Sequence, residues 1–381
     1  MILSDEEKIL QSTLRKFVDD QIKPFAQKMD QCEEFSWEIW RGFSNLGLMG
    51  IGIDPEMGGT EGTCKQMVLA VEEISRGDAA SAVSLLVHRS LGLETVAQFG
   101  SEQQKAEYIP KGVSGENIFA WALTEPGAGS DAGAMTTTAT LREGVYYLNG
   151  AKSFITNGDI ADTLVVFATT DISLGHRGVC AFIVDKGSYG LKAIKQSGKM
   201  GMRASHTAEL IFEETPVPTE KLLGREGHGF YYAMNILDSS RIVVAAQSVG
   251  IAQACFEEAV SYSEHRHTFG KPISNHQAIQ FKLADMATAI YASRAMTYNA
   301  ALLKDSGLPY VQEASMAKLF ASEACFNVAS EALQIFGGMG YFQGANIERY
   351  FRDARVTSIY EGTSEVQRMV IARKLLEQHD I

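Results

Sequence analysis

The hydrophobic period of the chain changes twice, and the changes divide it into thirds. Up to about residue 117 the apolar positions recur at helical spacing. Ile9, Leu10, Leu14, Phe17, Val18 and Ile22 make one stripe, and Ser4-Asp5-Glu6-Glu7 ahead of it supplies a cap and an acidic first turn. Trp37, Ile39, Trp40, Phe43 and Leu46 mark a second helix, followed by a glycine-rich loop at 55–60. Residues 64–77 and 80–99 then read as two further helices, apolar enough to be largely buried. His88 sits on the second and is read as a satisfied core residue.

From about residue 118 the pattern is that of short strands. Runs at 118–124, 136–140, 145–148, 163–168, 180–184 and 207–212 are separated by Gly, Asn and Asp. They do not alternate with helices, so the expectation is a compact antiparallel β domain and not a doubly wound parallel sheet. From about residue 229 the helical period returns. Segments 229–265, 275–305, 309–336 and 364–378 are long and read as amphipathic, which predicts an antiparallel bundle with apolar faces suited to self-association. The expected plan is α+β: an all-α N-terminal domain at 1–117, a central antiparallel β-barrel-like domain at 118–228, and a C-terminal four-helix bundle at 229–381.

Composition narrows the function classes. A chain of 381 residues suits two or three domains, and an apolar fraction of 45% allows a large core. The net charge of −12 argues against non-specific binding to nucleic acid or to an anionic membrane, while a local basic pocket for a small anion is compatible with it. Cys32, Cys64, Cys180, Cys255 and Cys325 are scattered without a C-x-x-C pair, which points to a reducing compartment with neither disulfide framework nor zinc site. No run approaches a membrane span and the first residues lack a signal-type apolar core, so the expected location is a bacterial cytoplasm, with a trimmed organellar form left open.

Familiar cofactor and nucleophile motifs are missing. No G-x-G-x-x-G follows a strand, no Walker A sequence occurs, and no G-x-S-x-G elbow is present. His265 and His267 do not share a helix face, so no metal is expected. Four stretches stand out instead. Leu123-Thr124-Glu125-Pro126-Gly127-Ala128-Gly129-Ser130-Asp131 is a loop of small residues leaving a strand, able to offer amides and a hydroxyl to a flat polar ligand, or simply a tight turn. Lys152-Ser153-Phe154-Ile155-Thr156-Asn157-Gly158 offers an aromatic face and a hydroxyl. Gln334-Ile335-Phe336-Gly337-Gly338-Met339-Gly340-Tyr341 ends a helix in glycines, which serve a C-cap or a close approach to ligand. Tyr360-Glu361-Gly362-Thr363-Ser364-Glu365 places a carboxylate and a glycine ahead of a capped last helix.

Together and in this order these stretches, with Arg-x-x-Phe-Gly-Lys-Pro-Ile at 266–273 and Arg-Asp-Ala-Arg at 352–355, resemble the acyl-CoA dehydrogenase family over essentially the whole chain, most of all its short-chain, butyryl-CoA type. The resemblance implies FAD between the β domain and the C-terminal bundle. Trp121, Leu123, Thr124, Gly129 and Ser130 would line the flavin, and Phe154, Ile155 and Thr156 would cover its other side. Arg266, Phe269, Gln277 and Gln334, Ile335, Phe336, Gly337, Gly338 would hold the FAD of a neighbouring subunit, with Thr363 and Glu365 at the adenosine-diphosphate end. This sharing implies a homotetramer built as a pair of dimers. Ser130, Asp238, Arg241 and Gly362 would touch the acyl-CoA, and Glu361 would remove its α-proton. Electron-transferring flavoprotein would accept the electrons. Part of helix 80–99 and the segment 231–237 would shape the acyl pocket. In isovaleryl-type and long-chain members the base precedes an Arg matching Arg241; here that position is Ser240, which leaves Glu361 as the matching base. Glu361 also argues against a nitroalkane oxidase, which is expected to carry Asp there. An enoyl-CoA reductase working in reverse, an oxidase, and a non-catalytic structural homologue are the alternatives.

Overall fold

The computed structural model describes residues 3–377. Helix α1 (Asp5–Phe17) opens with a reciprocal capping box between Ser4 and Glu7. One π-helical turn joins it to α2 (Lys23–Cys32), and α3 (Trp37–Asn45) follows. The helix α4 (Cys64–Gly77) is buried along most of its length. The segment read as one helix over 80–99 is α5 (Ala79–Leu86), a π-helical turn (Val87–Leu93) and α6 (Glu94–Phe99) in one continuous rod. Packing explains the widened turn. A Cβ on Gly92 would stand 2.6 Å from the Phe119 side chain. His88 next to it is indeed a satisfied core residue: its Nδ1 accepts from the Phe119 N–H at 3.0 Å and its Nε2 faces the Gly112 carbonyl at 3.0 Å. Burial pulls this imidazole down to about 3, so it is neutral. Helix α7 (Glu102–Val113) closes the first third.

The middle third holds β1 (Phe119–Ala122), β2 (Thr138–Arg142), β3 (Val145–Thr156), β4 (Thr163–Thr169), β5 (Val179–Asp185), β6 (Leu191–Lys195), β7 (Thr207–Pro218) and β8 (Leu222–Leu223). Their path runs β6-β7-β3-β2-β4-β5-β8, with β1 beside β4. Two features depart from expectation. β1 pairs with β4 in parallel, and the sheet is an open path, with no closed barrel among the described residues. The free edge of β6 is covered rather than paired, since Lys195 Nζ donates to the Glu33 carbonyl at 2.8 Å and the Gly198 N–H to the Glu33 carboxylate at 2.9 Å. β6 itself escaped the sequence reading because Leu191-Lys192-Ala193-Ile194-Lys195 has no clean alternation.

The last third contains α8 (Gly229–His265), a small hairpin of β9 (His267–Thr268) and β10 (Lys271–Pro272), α9 (Gln277–Asp305), α10 (Val311–Phe336), α11 (Asn346–Ala354) and α12 (Ser364–Glu377). Helices α8, α9 and α10 pack on one another and α12 lies on α10. Helix α8 is less amphipathic than expected: every residue from 239 to 252 is buried, because α4 and α5 cover the side that the bundle leaves free. A Cβ on Gly250 would stand 2.2 Å from the Glu72 carbonyl of α4, so the two helices touch at backbone distance. Helix α11, unnoticed in the sequence, ties the thirds together. Asp353 accepts from the Met202 N–H at 2.5 Å, and Arg349 pairs with Asp78 at 3.1 Å and faces Asp353 at 3.6 Å.

Candidate active site

Glu361 lies in the bend between a 3₁₀ turn (Arg355–Ser358) and α12. Its φ is +50° and that of Gly362 is +91°. A glutamate in the left-handed region costs about 1–2 kcal/mol, so the surroundings must hold it there. The Tyr360 hydroxyl donates to the Gln247 side chain, whose amide donates to the Ala79 carbonyl at 3.0 Å. Gln367 Nε2 donates to the Glu361 and Gly362 carbonyls at 3.2 and 3.0 Å. Lys318 Nζ donates to the Gly362 carbonyl at 2.7 Å. The Thr363 hydroxyl accepts from the Val366 N–H at 3.3 Å and caps α12.

The Glu361 carboxylate accepts a hydrogen bond from the Ser240 hydroxyl on α8. Beside it Arg241 donates to Asp238 at 2.5 Å and to Ser315 at 3.4 Å, while its buried Nε has no partner among the described residues. Burial pushes the Glu361 carboxyl above its ordinary range, opposed by the Ser240 bond and by the charges of Lys318 and Arg241. The N–H groups of Glu361 and Gly362 have no acceptor among the described residues. A half-buried carboxylate of raised basicity therefore lies next to free backbone donors.

The second part of the site is built on the β domain. Glu125 is buried within the loop that leaves β1, and its carboxylate accepts from the Thr136 N–H at 2.6 Å, the Thr136 hydroxyl at 2.8 Å and the Thr137 N–H at 2.9 Å. Lys152 of β3 pairs with it at 2.8 Å and also donates to the Leu123 carbonyl at 3.0 Å. Burial would push the Glu125 carboxyl up, but Lys152 and the threonine donors outweigh it and hold it at about 2. Burial pulls the Lys152 ammonium down to about 8 against the attraction of Glu125. Around this pin the loop stays open. A Cβ on Gly127 or Gly129 would meet nothing within 4 Å, and the Thr124, Gly129 and Ser130 N–H groups have no acceptor among the described residues. Trp121 is fixed beneath by its indole N–H, which donates to Thr95 at 3.2 Å.

The Phe154–Thr156 segment reaches this loop through the Ser153 N–H, which donates to the Thr124 carbonyl at 2.9 Å. The β3–β7 register shifts between Lys152 and Ile155, and this bulge turns Phe154 out of the sheet at φ +61° with 69% of its surface exposed. Ile155 is buried, and the Thr156 hydroxyl is left without a protein partner among the described residues. An exposed phenylalanine in strained backbone beside open glycines and free amides fits one face of a flat, polar ring system.

The remaining predicted residues lie elsewhere on the chain. Arg266, Phe269 and Gln277 are exposed at the α8–α9 corner, Phe269 at φ +50° and 96% exposed. The Arg266 guanidinium pairs with no carboxylate among the described residues. Gln334 and Gly338 are exposed, Ile335 is buried, and Phe336 stacks on Tyr262 at 4.1 Å. Gly337, at φ +59°, ends α10 by donating to the Gln334 and Leu333 carbonyls. No hydrogen bond or ring contact joins this corner to 121–130 or 154–156 among the described residues. Glu365 is exposed on the first turn of α12.

Three family models match the chain in succession: the acyl-CoA dehydrogenase N-terminal domain at residues 4–116, the middle domain at 120–215 and the C-terminal domain at 227–376. The chain belongs to the acyl-CoA dehydrogenase family. Among curated relatives, the short-chain specific acyl-CoA dehydrogenase of Clostridium acetobutylicum is 43% identical, over 98% of each chain. The acryloyl-CoA reductase (NADH) of Anaerotignum propionicum is 44% identical, over 99% of this chain and 96% of the relative. The solved butyryl-CoA dehydrogenase of Megasphaera elsdenii superposes with a TM-score of 0.96 at 42% identity, covering 99% of each chain. A chain solved in work on the electron transferring flavoprotein of Acidaminococcus fermentans and flavin-based electron bifurcation superposes with a TM-score of 0.97 at 44% identity, also over 99% of each.

In this acyl-CoA dehydrogenase the sequence reading missed the supports of the site. Ser240 cannot act as a base, yet it donates to the carboxylate of Glu361. Lys318 and Gln367 are far from Glu361 in sequence or hidden in a helix pattern, and a lone lysine among Ala-Ser-Met-Ala-Lys-Leu-Phe carries no motif. Glu125 and Lys152 fell inside the noted loops, but their pairing needed the β1–β3 geometry.

Proposed function

We propose that this chain is an FAD-dependent acyl-CoA dehydrogenase that converts a short-chain acyl-CoA to its trans-2-enoyl-CoA and passes the electrons to an electron-transferring flavoprotein. The observation that carries it is Glu361, a half-buried carboxylate raised in basicity, beside the unpaired N–H groups of its own bend. The open loop of Thr124, Gly129 and Ser130 and the outturned Phe154 fit a flavin, by their free donors and by the space at Gly127 and Gly129.

Trp121, Leu123, Thr124, Gly129, Ser130, Phe154, Ile155 and Thr156 hold the flavin ring. Arg266, Phe269, Gln277 and 334–338 hold the FAD of a neighbouring subunit, where the unpaired guanidinium suits pyrophosphate oxygens. Thr363 and Glu365 complete that end. Among the described residues no bond joins this corner to the chain's own flavin loop, which supports a site shared between two subunits; we assign these pairs to a homotetramer. Ser130, Asp238, Arg241 and Gly362 position the thioester. Glu361 takes the α-proton, and its own N–H donates to the thioester oxygen as negative charge develops there. FAD supplies the acceptor for the β-hydrogen, which leaves as hydride. Burial of the carboxylate keeps its affinity for a proton high near neutral pH. We place domain boundaries near residues 117 and 228, describe the middle unit as barrel-like and the last as a four-helix bundle, and assign the chain to a bacterial cytoplasm on its bacterial relatives and free cysteines.

The test is an anaerobic titration of the purified flavoprotein with a panel of acyl-CoAs, followed by flavin absorbance. Bleaching by a saturated short-chain acyl-CoA is expected, and Glu361→Gln should retain FAD but not bleach. The relative named as an acryloyl-CoA reductase supports a second reading. A flavin that resists every saturated acyl-CoA, yet is reoxidised by an enoyl-CoA after chemical reduction, would establish the reverse direction. No response to either, with FAD bound, would overturn both.

A further inference from the structure

Lys318 is fully buried on α10, and the sole hydrogen bond its ammonium makes among the described residues is to the Gly362 carbonyl at 2.7 Å. No carboxylate of the described residues lies within ion-pair distance of it. A buried ammonium with two N–H groups unused is costly, and a methionine of similar length would pack there more stably. The cost falls at one place, the peptide that follows Glu361. We propose that Lys318 is a positioning residue for the catalytic base: with Gln367 it clamps the Glu361–Gly362 bend in its left-handed conformation and sets a fixed positive charge beside the Glu361 carboxylate. This rests on the reading of Glu361 as the base.

The geometry separates Lys318 from the other charges facing the bend. From α8 come Asp238, Ser240 and Arg241, and Arg241 is already neutralised by Asp238 at 2.5 Å. From α12 come Gln367, Glu365 beside Lys318 and Arg373 beside Arg241, the last two exposed. From α10 comes Glu323, exposed in its carboxylate and paired with Arg368 at 2.7 Å. Tyr360 on the bend itself is bound to Gln247. Lys318 is thus the buried cation near the bend that no closer carboxylate cancels among the described residues, since Arg373 is exposed. Burial pulls its ammonium down to about 8, with Glu361 opposing, so it is charged at neutral pH. Ser240 orients one carboxylate oxygen from α8, while Lys318 and Gln367 fix the backbone from the other side.

The test compares Lys318→Met, Lys318→Gln and Lys318→Arg with the parent by the pH profile of kcat/KM on a saturated short-chain acyl-CoA. Removing the cation raises the Glu361 pKa, so the acid limb should move to higher pH by about one unit or more in the Met and Gln variants. Lys318→Arg should return the limb towards its parent position. The Gln variant keeps a donor for Gly362, so it should lose less kcat than the Met variant, whose loss is expected to be at least about tenfold. Flavin content and melting temperature are measured on each protein. An acid limb that stays in place in Lys318→Gln, at parental flavin content, overturns the electrostatic role. Equal kcat in parent and Lys318→Met overturns the clamp. If Lys318→Met does not fold, the Gln and Arg variants still decide. A parent protein that no acyl-CoA bleaches would instead overturn the dehydrogenase reading itself.

Discussion

Replacing Lys152 with methionine tests how the loop proposed to hold the flavin is fixed. The side chain is fully buried and its ammonium spans Glu125 at 2.8 Å and the Leu123 carbonyl at 3.0 Å. Lys152→Met keeps the length and removes the charge, leaving Glu125 as an unpaired buried carboxylate. Breaking one side of a buried pair costs ~3–5 kcal/mol. Glu125 retains three donors from Thr136 and Thr137, which places the expected cost at the lower end, ~3 kcal/mol. At roughly 2.1 cal/mol/K per residue, the 381 residues give an unfolding entropy of about 0.8 kcal/mol/K, so the melting temperature should fall by about 4 °C. Because the same lysine ties down the Leu123 carbonyl, FAD should be released faster, read by the rise of free-flavin fluorescence on dilution. Glu125→Gln/Lys152→Met removes both charges but keeps an acceptor for the threonine amides, and should recover more than half of the lost stability. A Lys152→Met protein that melts within about 1 °C of the parent and keeps its FAD would refute the pin, as would a double variant no better than the single.

Three further outcomes follow from the same geometry. The Glu125 carboxyl is held at about 2 against an unfolded value of 4.5; its contribution to stability is therefore complete above about pH 4.5 and lost as pH falls through about 2, so the stability gap between the parent and Lys152→Met, read by denaturant unfolding, should be full at neutral pH and narrow as the pH falls from about 4.5 towards 2. Arg266→Ala should leave the melting of the flavin-free chain unchanged but weaken FAD by about tenfold or more, by equilibrium dialysis, since the guanidinium has no partner to lose among the described residues; undiminished affinity would contradict the shared site. A Cβ at Gly201 would stand 2.5 Å from the Arg352 carbonyl, so Gly201→Ala should push the β6–β7 loop off α11 and cost ~1–3 kcal/mol in chemical denaturation.

The helical, strand and helical thirds were legible because period is a local property: a stripe at Leu10, Leu14, Phe17 and Val18 can face a core in one conformation only, although Ile9, read as part of it, is exposed. The motif segments were legible for a related reason. Glycines at 127, 129, 337 and 362 mark places where backbone can be open or left-handed, and residue type alone allows that, whereas the left-handed bend at Glu361 could not be read from its residue type. What the sequence by itself could not decide was set by contacts between distant segments. The sheet stays open and takes β1 in parallel because β6 is covered by the turn at Glu33 and the chain enters beside β4. The bulge that exposes Phe154 exists only in the pairing of β3 with β7. The basicity of Glu361 depends on Ser240, Arg241 and Lys318, brought from 121, 120 and 43 residues away along the chain by the packing of α8 and α10 against the last bend. A glutamate's identity is written in one residue, whereas its proton affinity is a sum over the dielectric and charges around it, and only the tertiary structure assembles those.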